Sequence, residues 1–577
     1  MIYYNIFLKQ PRRGKTREAL ITPHKRSAVW GPKHLTLICF LLVLTVSLFG
    51  QNPTPTCYRV YLSDKNNSPY SINNPSAYLS QRAIDKRTRF NIPVTEQDLP
   101  VNPQYKQQIL ALDSQMRPLA VSKWMNTFTV FCPDSAIVTQ IENLPFVDSV
   151  MAVAAYQFND SLVSKTVPEN QTPMVYSTPI FSEDTLDYGV GFAQIALENG
   201  HLLHAEGFHG EGMLIAVIDA GFFGMDSLSF FHELVQSGRY LGKYLMYPDN
   251  IVDYYPYEYH GSEVTSMMAA NSPGVLIGTA PAASYVFFIS EFSNSEQLIE
   301  EDFWTNAIEM ADSIGADVVN SSLGYNSFPD FPQANFTYAE LDGQHSIASR
   351  CATIAGEKGM IVCVAAGNSG GYMGRPADAF DILTVGATRL NGWHVSYSSH
   401  GPTYDGRVKP DVDAAGKNVY GFIMSGNPLL TEGTSVACPI IAGLSACLWQ
   451  AMPQFTSSEI MQIIRESSNL YDEPSPTMGY GIPDFHKAYT TNVGINDHKP
   501  LTLSIYPNPV TDKLNILNPN GNIQTVTLYN AAGQLVLQTA VPDSPILKIN
   551  VTDLPNGFYI GTATLRGNKT GTFKFVK

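Results

Sequence analysis

The chain has 577 residues, 44% of them hydrophobic and 15% charged, which is typical of a folded globular protein and argues against a disordered chain. Domains commonly run to about 100–200 residues, so this length predicts three or more folded units. The formal net charge is −15, and residues 1–34 carry eight basic residues and one acidic residue, which leaves −22 on the rest and disfavours nucleic acid or anionic membrane surfaces as partners.

Residues 1–50 have the pattern of an export signal. An apolar run, LTLICFLLVLTVSLFG, follows a basic stretch, and the small residue Gly50 precedes Gln51. A run of about 16 apolar residues is short for a membrane span, which needs about 20. We therefore predict a signal peptide with an extended basic region, cleaved after Gly50, and no stable membrane span; the alternative is an uncleaved anchor.

Residues 57–156 mix strand and helix patterns. The strand pattern CYRVYLS is followed by helical stretches near 76–90 and 104–115, and the strand patterns KWMNTFTVFC and FVDSVMAV flank the helical DSAIVTQIENL. Such a mixture in about 100 residues predicts a small α+β domain. Residues 157–185 are polar, contain prolines and lack a period, so we expect a linker.

Residues 186–491 alternate short apolar runs with helical patterns. The runs MLIAVID, SYVFFIS, ADVVNSS, MIVCVAA and DILTVGA are continuous rather than alternating, as in strands buried on both faces. Their alternation with helices predicts an α/β fold with a doubly wound, mostly parallel sheet. In such sheets, functional residues lie at the carboxyl ends of the strands.

Residues 500–577 change to alternating strand patterns separated by Asn-Gly, Asn-Pro and Asp turns. The expected strands are LTLSIYP, KLNILN, TVTLYN, LVLQTA, ILKINV, FYIGTATL and TFKFVK. This pattern predicts a small all-β sandwich.

Three residues of the central segment are of the types used in nucleophilic catalysis. Asp219 ends MLIAVID, His260 opens HGSEVTSMMAA, and Ser435 lies in GTSVACP at the start of an apolar helix. A serine hydroxyl needs a base, and an imidazole is an effective base when a carboxylate fixes its tautomer and stabilises its cation. The helix N-terminus adds N–H groups that suit an oxyanion. We predict that these three residues form a catalytic triad.

A fourth motif, IVCVAAGNSGG, leads a buried strand into Asn368 and a glycine-rich turn. A side-chain amide there would donate a hydrogen bond to a tetrahedral intermediate, and losing such a donor costs about 10²–10³ in turnover. The alternative is a simple turn asparagine. Beside the other three motifs, the oxyanion role is favoured.

Each motif alone has a commoner structural explanation. A single Asp after a strand often caps a turn, a single His is often structural, and Gly-Thr-Ser is frequent in proteins. These explanations do not account for all four groups lying at strand ends of one α/β segment.

The order Asp, His, Asn, Ser in the contexts IAVIDAGF, HGSEVTS, VAAGNSGG and GTSVACP resembles the subtilase family of serine peptidases across residues 186–491. The stretches IGTAPAASYVFFI, VVNSSLG, RPADAFDILTVGAT and SYSSHGPTYDGRVKPDVDAAG are similar to the family as well. The resemblance implies a secreted serine endopeptidase that hydrolyses peptide bonds through an acyl-enzyme on Ser435.

The resemblance also implies a specificity cleft, in which the backbone of one wall pairs with substrate as an added strand. The implied lining residues are Ser322, Leu323, Gly324, Ala366 and Gly367. The chain departs from the family pattern with HGS for HGT, GTSVA for GTSMA, and Ala415 in the proline place of KPDVxAPG. None of these departures removes a catalytic group.

The α+β domain resembles, by its position, the N-terminal propeptide of subtilases, which assists folding and inhibits the enzyme until it is cut. This resemblance predicts self-cleavage within or close to residues 157–185. The alternative is a permanent accessory domain, because a flexible linker does not by itself require scission.

Three stretches of the tail, YPNPVTDKLNI, LYNAAGQLV and LPNGFYIGTATLRGNKTGTFKFVK, resemble the C-terminal sorting domain that Bacteroidota attach to cargo of the type IX secretion system. The resemblance implies the secretion machinery as a partner and a secreted or cell-surface product. The alternative is a β-sandwich module for adhesion or carbohydrate binding.

Two rival functions make different demands on the sequence. An α/β-hydrolase esterase should show G-x-S-x-G with its histidine last in the chain, whereas His260 precedes Ser435 here. A catalytically inactive binding or adhesion protein with the same fold has no physical need for Asp219 and His260 together. Protein or peptide substrates are therefore the expected partners.

The seven cysteines show no CxxC pair and no metal-type spacing with histidine, so we expect buried thiols rather than a disulfide framework. No acidic cluster has the spacing of a calcium loop. Calcium occurs in some subtilases, but the sequence assigns no metal and no cofactor.

Overall fold

The computed structural model of the chain describes residues 54–156, 186–248, 257–292, 295–422, 426–492, 501–518, 523–541, 544–565 and 570–577. The predicted signal peptide and the predicted linker at 157–185 lie outside these residues. The described part contains a four-stranded sheet, an eight-stranded sheet and a pair of smaller sheets near the C-terminus, in that chain order.

The first region is a small α+β domain, as predicted. Its four strands pair antiparallel in the order β2-β3-β1-β4. The elements are β1 Cys57–Leu62, α1 Gln81–Phe90, α2 Pro103–Leu110, β2 Arg117–Ser122, β3 Thr127–Phe131, α3 Ser135–Glu142 and β4 Val147–Ala154.

One strand of this domain differs from the prediction. The expected strand KWMNTFTVFC begins at Thr127, and the preceding residues RPLAVS form the unpredicted strand β2. This strand lies at the edge of the sheet and is bulged between Pro118 and Ala120. Proline is tolerated at edges and bulges, and it removes the pattern that would mark the strand.

The second region holds the eight-stranded sheet and the helices that cover it. Its elements are α4 Phe192–Ala196, α5 Gly200–Ala205, β5 Leu214–Asp219, α6 His232–Gln236, β6 Tyr240–Leu245, α7 His260–Ala269, β7 Asn271–Ser272, β8 Leu276–Ile277, β9 Ser284–Ile289, α8 Glu300–Ile314, β10 Val318–Ser321, α9 Ile347–Glu357, β11 Ile361–Ala365, β12 Leu383–Arg389, β13 Val412–Phe422, β14 Pro428–Glu432, α10 Thr434–Ala451, α11 Ser457–Ser467 and α12 Phe485–Thr490.

The large sheet has the strand order β14-β13-β12-β11-β10-β5-β9-β6. Neighbours from β13 to β6 pair in parallel, and β14 pairs antiparallel with β13. Strands β5, β10 and β11 are buried along their whole length, which explains their continuous apolar sequences. The predicted mostly parallel α/β fold is confirmed. All carboxyl ends of these parallel strands meet at one edge.

Helix α10 is the central helix of this region. It packs against β10, β11, β12 and β13 and against α7. In the described residues it is the one helix whose length and composition would allow a membrane span, but 83% of it is buried inside the protein. Its apolar character is that of a core helix.

The third region is the predicted all-β sandwich. A five-stranded sheet, β15-β22-β21-β18-β19, lies with a three-stranded sheet, β16-β17-β20, around a separate apolar core. The strands are β15 Leu501–Thr502, β16 Ile505–Tyr506, β17 Lys513–Leu517, β18 Ile523–Asn530, β19 Leu535–Ala540, β20 Ile546–Asn550, β21 Phe558–Leu565 and β22 Thr570–Val576.

Candidate active site

Asp219 is the last residue of the central strand β5, which lies between β10 and β9. Its side chain is fully buried, and Oδ1 accepts a 2.8 Å hydrogen bond from the Ala220 N–H. The register of the parallel strands puts this carboxylate at the carboxyl edge of the sheet, where the sequence predicted it.

His260 begins α7, and its Nδ1 lies 2.7 Å from Asp219 Oδ1. The imidazole keeps 29% of its surface exposed, whereas the carboxylate is buried. One ring nitrogen is therefore held by the carboxylate while the ring remains partly open to solvent. This is the arrangement that fixes the tautomer of a histidine base.

A close contact at Gly261 positions the start of α7. Its N–H donates to Gly221 O at 2.8 Å. A Cβ on Gly261 would lie 2.5 Å from the Phe222 ring and 2.6 Å from Gly221 O, distances that real side chains do not reach. Only glycine allows α7 to approach the segment after β5 this closely, and that approach brings His260 to Asp219.

The charge of Asp219 changes the acidity of the imidazole. Burial opposes the imidazolium, but the neighbouring carboxylate outweighs it through its charge and hydrogen bond and raises the pKa of His260 to about 9. Glu263 and Glu258 add smaller contributions in the same direction. The pair thus stabilises a protonated imidazole, the form produced when the ring accepts a proton.

Ser435 is the second residue of α10, after Gly433 and Thr434. Gly433 has a φ of 148°, which favours glycine, and a Cβ there would lie 2.9 Å from Ser435 Oγ and 3.4 Å from Asn368 Nδ2. The hydroxyl and the amide nitrogen therefore face the same small space, which the missing side chain leaves open.

Asn368 follows β11, and its amide is oriented by Thr434. The Oδ1 atom accepts hydrogen bonds from the Thr434 N–H at 2.8 Å and from Thr434 Oγ1 at 3.0 Å. Thr434 Oγ1 in turn accepts from the Gly367 N–H at 3.1 Å. With Oδ1 engaged in this way, the NH₂ group of Asn368 is turned toward Ser435.

The hydroxyl and the imidazole are not joined directly. Within the described residues, no hydrogen bond links His260 to Ser435 Oγ, although α7 and α10 pack against each other. Catalytic hydrogen bonds are often long before substrate binds and tighten in the complex. The Asp219–His260 pair and the neighbouring side chains of Asn368 and Ser435 are therefore the two parts of a candidate active site.

The five cleft residues follow two neighbouring strands. Ser322, Leu323 and Gly324 continue from β10, and Ala366 and Gly367 continue from β11, which pairs with β10 in parallel. Gly324 is exposed, and a Cβ there would meet only Arg375 O, at 3.7 Å. Ser322 Oγ donates to Ser435 O at 2.8 Å and ties this wall to the serine helix.

Two residues that support the candidate site are not singled out by the sequence patterns above. Thr434 orients the Asn368 amide, and its place in the GTS motif is the signal that points to it. Glu258 accepts hydrogen bonds through Oε1 from the backbone N–H groups of Tyr259, at 2.9 Å, and His260, at 3.1 Å. An acidic residue just before a helix start is a recognisable capping signal.

One group of carboxylates in the described residues has a spacing that would suit a cation. Ligand atoms of Glu291, Glu296 and Glu300 all lie within 4.8 Å of one another. Tyr325 donates to Glu291, and Glu300 accepts from the N–H of Phe292 at 2.8 Å. Burial raises the pKa of Glu291 and Glu300, which favours protonated carboxyl groups. These contacts account for the group without an ion, and we assign no metal.

Comparison with known proteins shows the family of the central region. Residues 210–482 match the profile of the subtilase family, peptidase S8. Subtilisin of Bacillus pumilus is 30% identical over 288 residues, which cover 48% of this chain and 92% of that protein. The chain belongs to the subtilase family. It is a subtilisin-like serine endopeptidase.

Other subtilases show the same relationship. Subtilisin E of Bacillus subtilis is 28% identical over 337 residues, which cover 57% of this chain and 78% of that protein. A thermostable alkaline protease of Halalkalibacterium halodurans is 26% identical over 295 residues, which cover 50% of this chain and 70% of that protein.

The flanking regions of this subtilase match two further families. Residues 57–171 match the peptidase S8 propeptide domain of Bacteroidota, and residues 504–577 match the secretion system C-terminal sorting domain. The protein is therefore secreted or exported to the cell surface, and the resemblances predicted for its two ends are confirmed.

Proposed function

We propose that Asp219, His260 and Ser435 are the charge-relay triad of this subtilase and that Asn368 is its oxyanion donor. The observation that carries the proposal is the 2.7 Å contact between Asp219 Oδ1 and His260 Nδ1, with the carboxylate buried and the ring partly open. A carboxylate in that position holds the imidazole in the tautomer that accepts a proton at Nε2.

The reaction follows from these groups. Ser435 Oγ attacks the peptide carbonyl carbon while His260 Nε2 takes the hydroxyl proton. The oxyanion accepts hydrogen bonds from Asn368 Nδ2 and the Ser435 N–H at the α10 N-terminus. The protonated His260 then gives its proton to the leaving amine, and an acyl-enzyme ester remains on Ser435. Water, activated by the same imidazole, hydrolyses that ester.

We propose that substrate binds as an extended strand beside residues 322–324. The support is that Gly324 is exposed and that this segment and Ala366-Gly367 continue from adjacent strands. Main-chain hydrogen bonds to such an edge hold extended peptides without regard to sequence. The expected substrates are accordingly protein or peptide chains.

We propose that residues 57–156 are an inhibitory propeptide and that the chain cuts itself within or close to 157–185. In this proposal residues 1–50 are the signal peptide, 186–491 the catalytic domain and 500–577 the sorting domain. The support is the propeptide-family match together with the buried ion pair between Lys123 and Asp312, 2.9 Å apart, which joins the first region to α8. A retained accessory domain would leave the linker intact.

The proposal is tested with casein hydrolysis and with mass spectrometry of the mature termini. Ser435→Ala should abolish casein hydrolysis and leave the chain uncut, because both reactions need the same nucleophile. The matched control is Ser445→Ala, on the same helix, whose hydroxyl donates to Ile441 O within that helix; it should retain activity and processing. An active Ser435→Ala protein, or an inactive wild type that still folds, would refute the proposal.

A further inference from the structure

The five-stranded sheet of the tail has one face in the sandwich core and one facing solvent. Leu528, Tyr559 and Phe575 point inward and are buried. Side chains alternate along a strand, so the neighbouring residues of β18, β21 and β22 point outward. Outward positions of such sheets are normally polar.

Half of the outward face is apolar instead. Tyr529 is opposite Ile560 in one neighbouring strand and opposite Leu535 in the other, and Phe558 is opposite Val576. Directly opposed residues share a face. The exposed fractions are 56% for Leu535, 44% for Phe558, 42% for Val576 and 38% for Ile560. We call these residues the apolar half: Tyr529, Leu535, Phe558, Ile560 and Val576.

The other half of the same face is made of threonines. Thr562 is opposite Thr527 on one side and Thr572 on the other, and Thr564 is opposite Thr525. The same strands therefore carry polar residues a few positions away, of which Thr564 is exposed and the central Thr527 is buried among its neighbours. Strand formation therefore does not require apolar residues on this face. Because exposed apolar patches mark interaction sites, the grouping of the apolar half at one end of the sheet indicates a binding surface.

The charge of the tail differs from that of the chain. Residues 504–577 contain six Lys or Arg and three Asp, whereas the whole chain has a net charge of −15. Lys574 is exposed, lies opposite Ile560 and belongs to the apolar half by position. A complementary partner would present an apolar surface bordered by carboxylates.

We infer that the apolar half is the surface by which a protein of the secretion machinery, apolar and bordered by carboxylates, docks on the sorting domain. The secretion machinery must recognise a sorting domain through its exposed surface. This face offers an apolar surface together with the positive charge of Lys574, which complements carboxylates on the partner. The inference rests on the secretory assignment of the tail and not on the triad, so inactive Ser435→Ala protein would leave it standing.

The test measures export of the full chain, by immunoblot, from a bacterium that has this secretion route. Phe558→Thr with Ile560→Thr keeps strand propensity and extends the threonine surface. The exported fraction should fall at least tenfold, with full-length chain accumulating in the periplasm. The matched control is Leu429→Thr with Leu430→Thr, which removes two side chains from β14 that are at least as exposed, and this variant should be exported normally.

Lys574 gives a second test that does not depend on the apolar substitutions. Lys574→Glu should reduce export, whereas Lys574→Arg, which keeps the positive charge, should be exported like the wild type. Thermal unfolding of the purified full chain checks that the tail remains folded. Normal export of both Lys574→Glu and the threonine pair would overturn the inference. So would an equal defect in the β14 control, a wild-type dimer that the threonine pair dissociates, or binding to lipid vesicles that the pair abolishes.

Discussion

Arg59 and Asp302 form a two-pronged ion pair between the first region and helix α8, with Nε to Oδ1 at 2.8 Å and the terminal nitrogen to Oδ2 at 2.6 Å. Both side chains are at most 3% exposed, and Thr129 Oγ1 adds a 2.6 Å hydrogen bond to the same carboxylate. The first region therefore supplies both the cation and a hydroxyl donor to the buried Asp302 carboxylate.

Removing Arg59 should weaken the attachment of this domain strongly. Arg59→Ala leaves Asp302 buried without its cation, and breaking such a pair costs about 3–5 kcal/mol. The measurement is thermal unfolding of the uncut Ser435→Ala chain with and without the change. Arg117→Ala is the control, because that guanidinium donates only to nearby backbone carbonyls. Equal unfolding temperatures for the two arginine variants would contradict the role of the pair.

The pH dependence of hydrolysis should report the acidity of His260. The base must be neutral to accept the serine proton, and its pKa is raised to about 9. As pH falls through that value the ring becomes protonated, so kcat/KM should fall on the acid side and level off on the alkaline side.

Asp219→Asn removes the charge that favours the imidazolium. The midpoint of the profile should move to lower pH, and kcat should fall by about 10⁴ because the tautomer is no longer fixed. Profiles of kcat/KM on a chromogenic peptide measure both effects. An unchanged midpoint in the variant would show that Asp219 does not set the acidity of His260.

The amide of Asn368 should matter for turnover more than for binding. Asn368→Ala removes a donor to the oxyanion, which is fully formed only in the tetrahedral intermediate, and should lower kcat by about 10²–10³ with little change in KM. Thr434→Ala should lower kcat less, because it disturbs only the orientation of the amide, and Thr434→Ser should restore it. A rise in KM with constant kcat would assign Asn368 to ground-state binding instead.

The contact at Gly261 predicts a structural cost as well as a catalytic one. Gly261→Ala forces its Cβ against the Phe222 ring and Gly221 O, and overpacking of this kind costs about 1–3 kcal/mol. Displacing α7 also moves His260 away from Asp219, so activity should fall further than stability. Gly371→Ala is the control for thermal unfolding, since a Cβ there meets only Ser369 Oγ, at 3.5 Å. Similar unfolding temperatures for both variants would count against the close approach.

Sequence patterns predicted the parallel strands well because burial on both faces leaves a strong signal. The strands β5, β10 and β11 are continuous apolar runs, and their ends locate Asp219, the 322–324 segment and Asn368. Because the strands pair in parallel, the residues that follow them lie at the same edge of the sheet.

Contacts between distant residues left no such signal. Lys123 and Asp312 lie 189 residues apart, and nothing local to either residue indicates that they pair. The orientation of the Asn368 amide likewise depends on Thr434, which is 66 residues away. The edge strand β2 was missed for a different reason, since Pro118 and the bulge beside it break the alternation expected of a strand.

In the proposed mechanism Ser435 is the nucleophile and His260 activates it. Labelling of the active protein with a fluorophosphonate, followed by peptide mapping, tests this most directly, because the probe forms a stable adduct only with an activated serine. We expect a single adduct on Ser435 that disappears in His260→Ala, although the serine is still present. An adduct on another residue, undiminished labelling of His260→Ala, or no labelling of correctly folded, processed protein would contradict it.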